Sequence, residues 1–118
     1  GCRWAFRPAR HPKGRGRGPA LLFLLGGGQR SHWHRVDAAE LWVWHAGKPL
    51  ALLIDDGERR EHLLGGDVLA GQVPQAIVPT SAWQSAEARY SWALVSCIVT
   101  PGFEFAGFEL APEGWEPR

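Results

Sequence analysis

The sequence predicts an all-β domain, either a sandwich or a barrel. Three observations carry that expectation. Short apolar or alternating runs recur at roughly ten-residue intervals, with turn residues between them. Fifteen glycines and nine prolines in 118 residues interrupt the chain often, which favours short strands over long helices. No stretch carries a convincing helical apolar stripe, and residues 85–89 are the nearest candidate.

In chain order, residues 2–6 read as a short leading strand and residues 7–19, rich in Arg, Gly and Pro, as an exposed loop. Residues 20–25 are a continuous apolar run between Pro19 and Gly26, suited to a strand buried on both faces. Gly26, Gly27 and Gly28 read as a structural turn, because neither a Lys-Ser/Thr ending nor a helical pattern follows to make a nucleotide loop. Residues 31–35 and 40–45 are strands joined by a polar corner at 37–39, and a turn follows at 47–49. Residues 50–54 and 61–64 flank Asp55-Asp56-Gly57, a hairpin signal because glycine accepts positive φ in the turn. Gly65-Gly66 is a further turn; residues 76–78 end at Pro79, and residues 92–99 end at Pro101-Gly102. Residues 103–110 alternate weakly, and 114–118 are a polar tail.

The length fits one domain. Residues 1–19 are expected to belong, as a strand and a basic loop, to the same domain as the barrel at 20–118. The net charge of +1 hides an asymmetry: residues 1–35 hold eight Lys/Arg and no acid, the remainder five Lys/Arg and twelve acids. Residues 7–18 carry no aromatic side chain for base stacking and no nucleic-acid module follows, so the basic stretch reads as a solvated loop. The longest apolar run is far shorter than the roughly 20 residues a membrane helix needs. No secretory signal is visible. Cys2 and Cys97 form no metal-type pair and read as free thiols. The expectation is a cytoplasmic protein that binds neither nucleic acid nor membrane. Seven tryptophans are a high count, and such residues line cores, pockets and interfaces.

Chemistry concentrates between Gly26 and Gly47. In an extended strand His32 and His34 share one face while Trp33 takes the other. The corner at 37–39 returns Glu40 beside them. Two imidazoles and a carboxylate suit a divalent metal or an acid–base cluster. If Glu40 points inward, so do Trp42 and Trp44, while His45 faces outward. Gln72 and Gln75 flank Pro74 as candidate hydrogen-bonding amides, and Arg35 is a candidate anion anchor. Trp83, beside Gln84, is placed to close the mouth, and Glu104 either reaches the pocket or pairs with an arginine.

The order Gly26, His32-Trp33-His34, Glu40, Gly47 resembles the first motif of the cupins, with one additional residue before Glu40. Pro79-Thr80-Ser81-Ala82-Trp83-Gln84 matches the frame of the second motif, with Gln84 where cupins place a metal-binding histidine. More specifically, the chain resembles a family of small cupins of unknown function (cupin family five) over residues 22–25, 31–47, 64–84 and 97–115. Pro101-Gly102-Phe103-Glu104-Phe105 and Phe108-Glu109-Leu110-Ala111-Pro112 are its most characteristic segments. The resemblance implies a double-stranded β-helix (a jelly-roll barrel), commonly a homodimer, with no settled activity. It also implies kinship in fold with nucleotide-sugar epimerases and seed storage proteins. The family pattern keeps a histidine at position 34 and tolerates other residues at 32, which together with Gln84 argues against an obligatory metal.

The sequence therefore points to a barrel that binds a small polar molecule, with isomerase- or epimerase-type chemistry on His34 and Glu40 as its catalytic extension. In that extension Tyr90, the one tyrosine, is no evident partner acid. The ligand-contacting candidates are His32, Arg35, Trp42, Trp44, Gln72 and Gln75, with Trp83 and Gln84. A metal-dependent dioxygenase or isomerase, holding a divalent ion on His32, His34, Glu40 and Gln84, is the second expectation. A binding or storage protein without catalysis is the third.

Overall fold

In the computed structural model, which describes residues 4–8, 20–100 and 108–117, two antiparallel sheets face each other across one apolar core. The strands are β1 (Trp4–Pro8), β2 (Ala20–Leu25), β3 (His34–Val36), β4 (Ala39–Gly47), β5 (Leu50–Asp55), β6 (Arg59–Leu64), β7 (Gln75–Val78), β8 (Trp83–Glu87), β9 (Ala93–Thr100) and β10 (Phe108–Leu110). A single 3-10 turn lies at Val68–Ala70. The first sheet runs β1-β2-β9-β4-β7 and the second β10-β3-β8-β5-β6. The expected jelly-roll barrel is the architecture found. Among the described residues, no helix is long and apolar enough to cross a membrane.

Strand alternation builds the core. The first sheet turns Leu25, Trp42, Val78, Val95 and Val99 inward, and the second answers with Leu50, Leu52, Ile54, Leu64 and Ala86. Removing these side chains from water is the main force joining the sheets. One polar link crosses between them: Trp42 Nε1–H donates to Gln84 Oε1 at 2.8 Å. A buried indole N–H needs such a partner, and here it finds one on the facing sheet. The tight turns follow the glycines. Gly57 closes the β5–β6 hairpin at φ 110, with its N–H donated to Asp55 Oδ1 at 3.0 Å. Gly47 ends β4 at φ 91, where a side chain would run into Trp92.

Several expectations change. Among the described residues the leading strand runs from Trp4 to Pro8, two residues past the expected end, while residues 1–3, 9–19, 101–107 and 118 lie outside the described residues. Residues 20–25 form β2 but are not buried on both faces: Leu22 is 38 % and Leu24 43 % exposed, because they lie on the outer side of the first sheet. Residues 85–89 are not helical; Ser85 lies within β8, paired with Leu53 of β5. A stripe of small residues there reflects close strand packing.

The polar tail is also not free in solvent. Outside the second sheet, Trp33, Leu53 and Ala111 form a small second core with Trp83 against it. Ala111 N–H donates to the Trp33 carbonyl at 2.8 Å, and the Trp115 ring lies 4.7 Å from that of Trp83. Two arginines fasten this layer. Arg35 sits 4.7 Å over Trp83 and bonds Glu109 at 2.8 Å. Arg59 sits 5.1 Å over Trp33, pairs with Asp55 and Glu116, and donates to the Pro117 carbonyl at 2.8 Å.

Arg59→Ala is therefore expected to lower stability by about 1–2 kcal/mol through loss of the stacking and the tail hydrogen bond. Arg60→Ala, which removes an exposed pair with Asp56, is expected to change it by less than about 0.5 kcal/mol. Urea unfolding of both variants checks the difference, and equal effects would refute the fastening role.

Candidate functional site

Strand β4 carries the interior polar group. Alternation places Glu40 and Trp42 on its inner side, and the register sets Glu40 between Val78 of β7 and Val99 of β9. The carboxylate is only 4 % exposed and flanked by apolar side chains. Its Oε2 accepts the thiol of Cys97 at 2.9 Å. Burial, reinforced by the charge of Glu40, pushes the Cys97 thiol far above its ordinary range. The sulfur therefore keeps its proton and acts as the donor. Among the described residues no donor to Oε1 is found, and no buried side-chain oxygen is left unpartnered, so Oε1 keeps part of the small accessible surface of this 4 % exposed side chain.

His34 begins β3 and lies directly across from Gln84 on β8. Its Nδ1 lies 2.9 Å from the His32 carbonyl. A carbonyl only accepts, so Nδ1 holds the proton and Nε2 carries the lone pair. Burial lowers the His34 pKa below 6.5, with His32 adding to the effect and the His32 carbonyl and the Glu40 charge opposing it. Although part of the ring reaches the surface, protein encloses most of it, and desolvation wins. At neutral pH His34 is an uncharged base whose field includes Glu40.

The barrel thus brings together His34, Glu40, Trp42 and Gln84. Gln84 is 1 % exposed, and its oxygen is occupied by the Trp42 indole. Cys97, which the sequence reading treated only as a free thiol, joins them. The alternation of Val95, Cys97 and Val99 marked it as inward, but only the β4–β9 register puts it at Glu40.

The other candidates lie elsewhere. His32 precedes β3, does not share an extended face with His34, and is an exposed side chain 3.8 Å from Glu113. Arg35 and Trp83 are on the outer side of the second sheet, engaged with Glu109 and Trp115, so Trp83 does not close a mouth. Trp44 is half-buried beside a bulge, with its N–H donated to the Lys48 carbonyl at 3.0 Å. Gln72 accepts the Asp67 N–H at 3.0 Å and holds the turn after β6. Gln75 is exposed on β7 beside Val43, on the outer side. His45 faces outward as alternation requires and lies 2.6 Å from Ser96 Oγ. Glu104 is outside the described residues.

Among the described residues no three His, Cys, Asp or Glu side chains converge for coordination. The Gln84 oxygen is engaged by Trp42, the Cys97 thiol by Glu40, and His32 lies 3.8 Å from Glu113.

Comparison with known proteins agrees with the fold. A protein from Shewanella oneidensis superposes with a TM-score of 0.74 at 36% identity, over 93% of this chain and 72% of that one. A hypothetical protein from Leishmania major gives 0.67 at 28% identity, over 92% and 75%. An oxalate decarboxylase from Bacillus subtilis gives 0.65 at 16% identity, over 78% and 23%, a likeness of fold alone. No curated protein matches the chain. The family model described as Cupin superfamily (DUF985) matches residues 5–111, and the chain belongs to that family.

Proposed function

We propose that this protein binds a small polar molecule inside the barrel, with Glu40 and His34 as the groups that meet it. One observation carries the reading: a carboxylate lies buried among apolar side chains, with a thiol as its protein donor and Oε1 keeping part of the small accessible surface. An apolar residue there would be more stable, so the polar group is retained for what it contacts. The catalytic extension is isomerase- or epimerase-type proton transfer. Neutral His34 supplies the base, and the negative charge of Glu40 favours the imidazolium formed when it takes a proton. Tyr90 is exposed and offers no opposing acid in the interior.

We further propose that two copies associate through the outer side of the first sheet. Leu22 and Leu24 of β2, Leu94 and Ile98 of β9, Leu41 and Val43 of β4 and Ile77 of β7 make an apolar surface with no charged side chain among the inner strands' outward residues. Ile77 is 65 % exposed. A face this rich in apolar side chains suits contact with its own copy related by a two-fold axis, and would be left wet in a monomer.

Mass spectrometry of gently purified protein is expected to find a small molecule that Glu40→Gln and His34→Gln release without unfolding the barrel. An empty wild-type barrel, or a molecule retained by both variants, would refute the pocket. Metal analysis of the same sample is expected to find far less than one ion per chain; a stoichiometric ion lost on His34→Gln would favour the metal-dependent enzyme instead.

The lowered His34 pKa sets a sign for stability. The unfolded chain, with a histidine near 6.5, binds the proton more readily than the folded one. Stability therefore rises with pH up to about that value and is lost as pH falls through and below it. The urea midpoint of wild type relative to His34→Gln is expected to increase between about pH 5 and pH 7.5. A flat or falling difference would contradict the buried neutral imidazole.

Light scattering of wild type is expected to give a dimer, and Ile77→Lys combined with Leu22→Lys a folded monomer. A monomeric wild type would remove this interface.

A further inference from the structure

Charge compensation separates Glu40 from the other buried acid among the described residues. Asp55, the other buried acid, has Arg59 at 3.6 Å and the Gly57 N–H at 3.0 Å. Glu87 and Glu61 share Arg89, Glu109 has Arg35, and Asp56 has Arg60. Glu40 has none of these. Among the described residues its partner is the Cys97 thiol, one of the weakest donors a side chain offers. Of the arginines whose side chains are described, Arg59 pairs with Asp55 and the others with surface acids, and Lys48 follows the opposite end of β4.

The surroundings have a chemistry of their own. Val78 and Val99 flank the carboxylate on neighbouring strands, and Trp42 follows it on the same side of β4. Phe23 stacks on Trp42 with ring centres 5.8 Å apart. Aromatic faces attract cations, and valine methyls accommodate alkyl groups. An anionic ligand would be repelled by Glu40 at close range in a poorly screening interior. A carboxylate that the described residues leave without a cation is completed by one that arrives with the ligand.

We propose that the molecule bound at Glu40 presents an alkylated cationic group, of the alkylammonium class, to Oε1. This inference rests on the barrel-binding reading and names the charge of its ligand. The open oxygen supplies the attraction, the thiol holds the other oxygen in place, and the aromatic and valine side chains receive the alkyl substituents.

The test uses the full chain and three probes matched in size: choline, its uncharged isostere 3,3-dimethylbutan-1-ol, and the anion 3,3-dimethylbutanoate. Binding is followed by calorimetry and by the His34 ring signals in NMR. The expected result is choline binding at least about tenfold tighter than the neutral isostere, no binding of the anion, and loss of the preference in Glu40→Gln. The wild-type comparison stands even if that variant fails to fold. Equal or tighter binding of the neutral isostere or the anion, with His34 perturbed, overturns the cationic ligand and leaves the pocket intact. No perturbation of His34 by any probe overturns the cationic ligand, and together with an empty barrel by mass spectrometry it overturns the pocket as well. An infrared band of a protonated carboxyl group at neutral pH that disappears in Glu40→Gln also overturns the proposal, since an uncharged Glu40 attracts no cation.

Discussion

The interior of this barrel depends on a hydrogen bond that crosses it, from the Trp42 indole on one sheet to Gln84 on the other. Apolar contact presses the sheets together without regard to direction. A polar bond between fully buried partners has one satisfactory geometry, and leaving either group unpaired costs far more than the bond itself contributes. The pair therefore fixes how β4 faces β8. Glu40, two residues before Trp42, and His34, across from Gln84, are carried into a common interior by that same constraint.

The two outer faces of the barrel are managed differently. The second sheet is covered by the chain itself, through β10 and residues up to Pro117, with arginines laid on Trp33 and Trp83. The first sheet presents leucine, valine and isoleucine on its outside. A small domain has a large surface for its volume, and the described tail accounts for only one side. Among the described residues, the outer side of the first sheet's inner strands adds only a few polar groups, His45 and Ser96 at 2.6 Å and the exposed Gln75.

Electrostatics sort the ionisable groups by role. Surface acids and arginines are matched in pairs and short ladders that salt screens and that contribute little individually. Inside, a carboxylate is steadied by a thiol whose own ionisation is suppressed by burial and by the charge it touches. The neighbouring imidazole is uncharged for the same reason of burial.

Much of this was legible beforehand. The short strands, the glycine turns at 47 and 57, and the inward direction of Glu40 and Trp42 follow from local alternation and backbone sterics, which depend on near neighbours in sequence. The order of Gly26, His34, Glu40 and Gly47 also carried the family resemblance. Local rules stopped at three places. They put His32 on a strand that begins only at His34. They gave no partners to the polar tail, whose tryptophan and backbone find them on β6 and β8. They gave no partner to Cys97, which meets Glu40 from 57 residues away. By itself the sequence determined the strand class, the turns and the inward-facing residue types, because these are set by periodicity and allowed φ. The tertiary structure alone decided which inward residues touch: strand register and sheet order join positions far apart in the chain, and no local preference encodes that pairing.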